Sequence, residues 1–227
     1  MALLERAQFD CNNSIYLANS SANLKAKRSL LDAWFLKHEQ TEAHFGLFLR
    51  PEERPFHAGL PDPVPDTEQK STLARQSLEI NNFDKINLTP SLKMEYLELV
   101  PKICSDGSDG NFELSVQKDI QALKLISRRI HFGAFHVGEC KFQSDPERFM
   151  ALIRARATDE INEEITRKEV EEEILRRIQE KATQIQSEPG HAVRRFVPPI
   201  QIAAFYRETV IPLTKKGEVQ YLLGRQF

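Results

Sequence analysis

An all-α, multi-helix bundle is the architecture expected of these 227 residues. Three observations point to it. Apolar residues recur at three-, four- and seven-residue steps through several long segments, the spacing that lines one face of a helix. Helix-opening pairs, Thr89-Pro90 and Asp145-Pro146, stand ahead of two of those segments. No segment alternates apolar and polar residues as a half-buried strand does.

Taken in order, the first predicted helix spans Arg28 to Leu49, and a loop punctuated by Pro51, Pro55, Pro61, Pro63 and Pro65 follows it. Thr89 as N-cap and Pro90 as first helical residue open a second helix through Tyr96 to Val100. The turn-rich run SDGSDGN at 105–111 breaks the chain again. A third helix is predicted over Asp119 to Phe142, with Ile120, Leu123, Ile126, Ile130 and Val137 as its buried face. A short fourth starts at Asp145-Pro146, with Ser144 and Glu147 as a capping box. Residues 159 to about 186 read as one long Glu-rich helix whose stripe is Ile161, Ile165, Val170, Ile174, Ile178 and Ile185. Glu164–Lys168, Glu172–Arg176 and Glu173–Arg177 are its expected i,i+4 pairs. Pro189-Gly190 ends it. A last helix covers roughly 199 to 225 and is expected to kink near Pro212. The length is ample for a core, and a single domain over 1–227 is expected.

A net charge of −2 and a pI near 6.3 exclude a general nucleic-acid binder. No apolar run approaches the ~20 residues of a membrane span, and MALLERAQFD lacks a secretory pattern. Cys11, Cys104 and Cys140 are widely spaced and odd in number, which suits reduced thiols in a cytosol-like compartment. Cys140 is expected as a small apolar core residue. The sequons at Asn12, Asn19 and Asn87 are then chance matches. His131 and His136 are at the wrong spacing for a helical metal pair, so no metal site is expected.

Three groups of polar residues carry the chemistry. Arg128, Arg129 and Lys141 are embedded in the apolar third helix, where a buried cation without a partner costs several kcal/mol. An anion should therefore meet at least one of them. Arg167 and Glu171 lie one turn apart, and Thr214 and Glu218 share a face with Lys215 beside them. A bundle that turns these faces inward makes a pocket for a small polyanion. The plainer alternatives are a surface role for Arg128, one step off the face of Arg129, and a solvated face for Glu171 among Glu169, Glu172 and Glu173. Thr214 and Glu218 would then be ordinary polar positions on an amphipathic helix.

SRRIHFG at 127–133, ECKF at 139–142, EITRKEVEEEIL at 164–175 and VIPLTKKGEVQYLLGR at 210–225 give the chain a specific likeness. LLERAQF at 3–9, RPEERPF at 50–56 and LVPKIC at 99–104 extend it over nearly the whole length. It resembles the all-helical chorismate mutases of fungi and plants. The resemblance implies an isomerase of aromatic amino acid biosynthesis, a cytoplasmic homodimer that rearranges chorismate to prephenate without cofactor or covalent intermediate. The substrate is a dicarboxylate whose breaking ether bond gains negative charge on oxygen. Catalysis then requires the enolpyruvyl arm to be held over the ring and donors to wait at the ether oxygen. Carried over by position, Arg129 clamps a carboxylate, in the planar bidentate manner of a guanidinium. Lys141 serves a carboxylate and the ether oxygen, and Glu171 accepts the ring hydroxyl. Glu218, kept protonated by burial among acidic surroundings, donates to the ether oxygen. Thr214 and Lys215 line the same wall.

The chain departs from the family's pattern at four places. The family's opening helix supplies a further arginine upstream of the LLERAQF match, and only that helix's tail is present before the match. Loss of such a charge-assisted contact is expected to cost roughly 2–5 kcal/mol. GAFHVGECKF is one residue longer than the family's segment, which in an ideal helix turns Lys141 by about 100°; a π-bulge near His136 would absorb the extra residue. Arg167 stands where many members have asparagine, and it is expected to add a cation to the site. Finally, regulated members bind aromatic amino acids through positions that here read Gly46, Leu47, Glu113, Leu114 and Gln117. No response to tyrosine or tryptophan is expected. The competing readings are a non-catalytic, dimerising helical paralogue and a generic coiled-coil scaffold.

Overall fold

A computed structural model describes residues 2–18, 28–64, 78–80, 83–188 and 194–226. Asn19, Pro65 and Pro189-Gly190 lie outside the described residues. Within them the regular structure is helical, with one isolated parallel bridge between Asp10 and Ser105. The helices are α1 (Ala2–Arg6), α2 (Leu30–His44), α3 (Thr89–Ile103), α4 (Phe112–Phe132), α5 (Gly138–Ser144), α6 (Pro146–Ala155), α7 (Thr158–Ile165), α8 (Lys168–Ser187), α9 (Pro199–Phe205) and α10 (Ile211–Gly224). Two π-helical turns, Gly133–Val137 and Tyr206–Val210, join α4 to α5 and α9 to α10.

The helix starts differ from expectation in instructive ways. The α3 helix begins at Thr89 itself, and the Thr89 hydroxyl donates to the Pro55 carbonyl (2.8 Å) instead of capping. The proline-rich loop is thereby fastened to α3. Asp145 alone caps α6, accepting from the Arg148 N–H at 3.1 Å, while the Ser144 hydroxyl turns back to the Lys141 carbonyl. No capping box forms there. The third helix starts at Phe112, well before Asp119, because the turn-rich run ends at Asn111.

The long Glu-rich helix is two helices. Thr166 and Arg167 are extended (ψ 122° and 93°), and the Thr166 hydroxyl donates to the Asn162 carbonyl at 2.6 Å. The Glu164–Lys168 pair falls across this break, and Glu164 meets Arg148 instead. Glu173 binds both Arg176 and Arg177, whereas Glu172 reaches Arg207. In the last helix the irregularity falls just before Pro212. Proline lacks an N–H and its ring excludes the carbonyl four residues back, so the turn ahead of it widens.

The α4 helix forms the centre of one apolar cluster, where Val116, Ile120, Leu123, Ile126 and Ile130 pack with Leu31, Phe35, Leu92 and Tyr96. A second cluster gathers Phe135, Phe142, Phe149, Ile161, Tyr221 and Leu222 beneath α10. Val137 is an exception to the expected stripe, being 38% exposed, and Cys140 is exposed rather than part of the core. Inside the first cluster lies a charged network around the fully buried Arg6–Asp119 pair. Arg6 donates to Asp119 at 2.6 Å, and the Tyr16 and Tyr96 hydroxyls donate to the same carboxylate at 2.7 Å. Burial works against the charge on Arg6, yet the Asp119 carboxylate holds that guanidinium protonated well above its ordinary range. This network pins α1 to α4.

Helix α10 crosses the first π-turn closely. A Cβ on Gly217 would lie 2.5 Å from the Ala134 Cβ, and one on Gly133 would strike the Thr214 methyl. Only glycine permits that approach, which sets the floor of the cleft described next.

Candidate active site

A cleft of about 300 Å³ opens between α4, the first π-turn, the α7–α8 break, α8 and α10. Such a volume suits a small molecule. Arg129, Lys141, Arg167, Glu171, Thr214, Lys215 and Glu218 all line it. Four separate stretches of sequence thus converge on one hollow.

Lys141 reaches the cleft because the Gly133–Val137 π-turn takes up one extra residue. Its ammonium donates to Glu218 Oε2 at 2.6 Å and to the Ile165 carbonyl at 2.8 Å. That carbonyl is available because α7 stops at Ile165. Helix α5 is held in place by Glu139, which is buried and accepts two hydrogen bonds from Arg225 at 2.9 Å and one from the Tyr221 hydroxyl. Against the effect of burial, those donors keep the Glu139 carboxyl below its usual range. Sequence reading passed over Glu139 and Arg225; the only signal was their place inside the ECKF and LLGR matches.

Glu218 is buried, and burial raises its carboxyl above the ordinary carboxylate range. Lys141 and, more weakly, Lys215 oppose the shift, while Glu171 adds to it. The surroundings are therefore mainly cationic rather than acidic as expected, and desolvation is the dominant cause. Glu171 accepts from the Lys215 ammonium at 3.1 Å and is only partly buried. Thr214 spends its hydroxyl on the Val210 carbonyl (2.7 Å) and turns its methyl toward Gly133.

Arg129 is exposed at the rim with its guanidinium 5.9 Å from the centre of the Tyr206 ring, within cation–π range. Arg128 is exposed, lies outside the cleft and pairs with Glu53 at 3.2 Å. The cations of the third helix are thus not entombed in the core: they stand on its solvent and cleft sides. Val137, Val170, Ile174 and Tyr206 supply an apolar wall that sequence reading had placed in the core or left unassigned. His131 is no ligand: its Nε2 accepts from the Leu88 N–H at 3.1 Å, and burial lowers its pKa to about 4. His136 approaches Glu52 at 3.4 Å.

No protein-family model matches the chain. Individual proteins do. The chorismate mutase of Saccharomyces cerevisiae is 37% identical over 236 residues, covering 98% of this chain and 87% of that protein. A Candida albicans chorismate mutase solved in complex with L-Trp superposes with a TM-score of 0.86 at 32% identity, covering 98% of this chain and 84% of that one. The chloroplast chorismate mutase of Zea mays gives 0.84 at 31% identity, with 98% and 86% covered. Likeness of this extent favours neither a non-catalytic paralogue nor a coiled-coil scaffold.

Proposed function

This chain belongs to the chorismate mutase family, and from that premise we propose that the cleft between α4, α8 and α10 is where it rearranges chorismate to prephenate. The activity itself, an isomerisation feeding aromatic amino acid synthesis, follows from the family. The observation that carries the site assignment is the 2.6 Å contact of Lys141 with Glu218 inside a cation-lined hollow.

The reaction breaks an ether C–O bond while a C–C bond forms, so no proton needs to leave the substrate. What the protein must supply is shape and charge. Arg129 grips a carboxylate at the rim. The apolar wall of Val137, Val170 and Ile174 leaves the enolpyruvyl arm no room to swing away from the ring, which removes rotational freedom in advance. Glu171, steadied by Lys215, accepts the ring hydroxyl. The ether oxygen, as it gains charge, sits between the Lys141 ammonium and the Glu218 carboxyl. With Glu218 neutral, both donate. Loss of one such preorganised donor typically lowers kcat by about 10²–10³.

The test is consumption of chorismate by the purified chain beside its Arg129→Ala and Lys141→Met variants. Each substitution is expected to reduce kcat/KM by at least about 100-fold. Rates equal to wild type for both would remove the cleft from the reaction.

We also read this enzyme as unresponsive to aromatic effectors. Supporting this, Gly46 and Leu47 offer no charge to an amino acid's carboxylate, and exposed Glu113 would repel it. Chorismate turnover is expected to stay constant on adding tryptophan or tyrosine; a several-fold change with either would refute the reading.

A further inference from the structure

Deepening that assignment and resting on it, we propose that Arg167 holds the second carboxylate of chorismate, opposite the one gripped by Arg129. The argument begins with the pairing of charges in the cleft. Its lysines already have places: Lys141 is held by Glu218 at 2.6 Å and the Ile165 carbonyl at 2.8 Å and serves the ether oxygen, and Lys215 is paired with Glu171 at 3.1 Å. Its arginines do not. Among the described residues neither Arg129 nor Arg167 has a carboxylate partner, and Arg167 has no hydrogen bond from its side chain at all. The hollow is therefore lined by two exposed arginines without a carboxylate partner, and the molecule that enters it carries two carboxylates. Guanidinium suits each of them because its planar fork matches a carboxylate in two parallel bonds.

The backbone explains why Arg167 faces the cleft. On a continuous helix, a residue one turn before Glu171 would pair with it across the i,i+4 step. Here Arg167 is the extended residue ahead of α8, with φ −125° and ψ 93°, and its carbonyl accepts from the Glu171 N–H. Arg167 leaves the α7–α8 break two residues after Ile165, whose carbonyl Lys141 binds, and it lines the same hollow. The Glu171 carboxylate meanwhile turns to Lys215. The break thus leaves Arg167 lining the hollow without Glu171 as a partner, since that carboxylate is held by Lys215. Arg128, by comparison, points away from the cleft and has found Glu53.

The experiment compares wild type with Arg167→Ala and Arg167→Lys on chorismate and on each of its two monomethyl esters, with Arg129→Ala in parallel. Arg167→Ala is expected to lower kcat/KM for chorismate by about 10- to 100-fold, chiefly through KM, with partial recovery in Arg167→Lys. On one ester the Ala penalty should vanish, since the carboxylate that Arg167 holds is then masked; on the other it should persist. A merely structural role would move all three substrates alike. Arg167→Ala within twofold of wild type, or an equal penalty on chorismate and both esters, would overturn the proposal. Failure of the wider assignment looks different, because Arg129→Ala would then also run at the wild-type rate.

Discussion

Glu218 carries the sharpest consequence of a single side chain. Burial favours its neutral form, and only that form can donate a hydrogen bond to an ether oxygen. The raised pKa sets the sign: the donor is present below that pKa and is lost as pH rises through it. Wild-type kcat/KM is therefore expected to fall on the alkaline side of the raised pKa, whereas Glu218→Gln, which donates at every pH, should lack that limb. A variant whose profile superimposes on wild type would exclude Glu218 as the donor. The candidate site was readable in the sequence because its residues sit in short, dense motifs. The Arg6–Asp119 pair was not, since its partners lie 113 positions apart and each looks like an ordinary helix-end charge. Cys140 misled for a different reason: cysteine is among the residue types most often buried, whereas here its place on α5 faces solvent.

Helix geometry decides whether the ammonium of Lys141 arrives at all. A residue added to a regular helix swings everything beyond it by about 100°. The π-turn at Gly133–Val137 cancels that swing. Deleting His136 is accordingly expected to convert the turn to regular helix and leave chorismate turnover within about fivefold of wild type. Inserting one further alanine after His136 should lower it at least about 100-fold, as Lys141 is carried off the cleft. Steady-state assays of the two variants check this; an inactive deletion beside an active insertion would show that the turn does not set the register. The wide turn was foreseeable from the lengthened segment. The stop between α7 and α8 was not, because neither glycine nor proline marks it. A threonine hydroxyl bonds to a backbone carbonyl at the end of α7, but the same kind of bond lies inside α8 and α10, so it marks no stop that periodicity could read.

For the molecule taken whole, His131 is a titrating strut. It joins α4 to the chain entering α3 through the Leu88 N–H, and it must be neutral to accept that bond. Its pKa of about 4 lies below the ordinary 6.5. The unfolded chain therefore binds a proton that the folded one refuses. Stability is full above about pH 6.5 and drains away as pH falls toward 4, by roughly 2–3 kcal/mol from this group. Urea midpoints measured at pH 7 and pH 5 should differ in that direction for wild type and much less for His131→Gln. Equal differences in both would assign the acid loss elsewhere. The all-α architecture itself was plain from apolar spacing and from the absence of alternation. The way α10 lies down on the first π-turn was not, because it depends on a missing side chain at Gly217 meeting Ala134, a fit visible only once both helices are in place.

That wide turn behind the lysine also bears on how the protein tolerates change. Because it takes up slack locally, the segments on either side keep their own register, much as a vernier lets one scale slip against another without losing the reading. The chain between the rim arginine and the lysine can carry or shed that one extra residue while the ammonium holds its station. A difference of one residue in this stretch is thus tolerated over evolutionary time, and the chemistry at the far end need not notice.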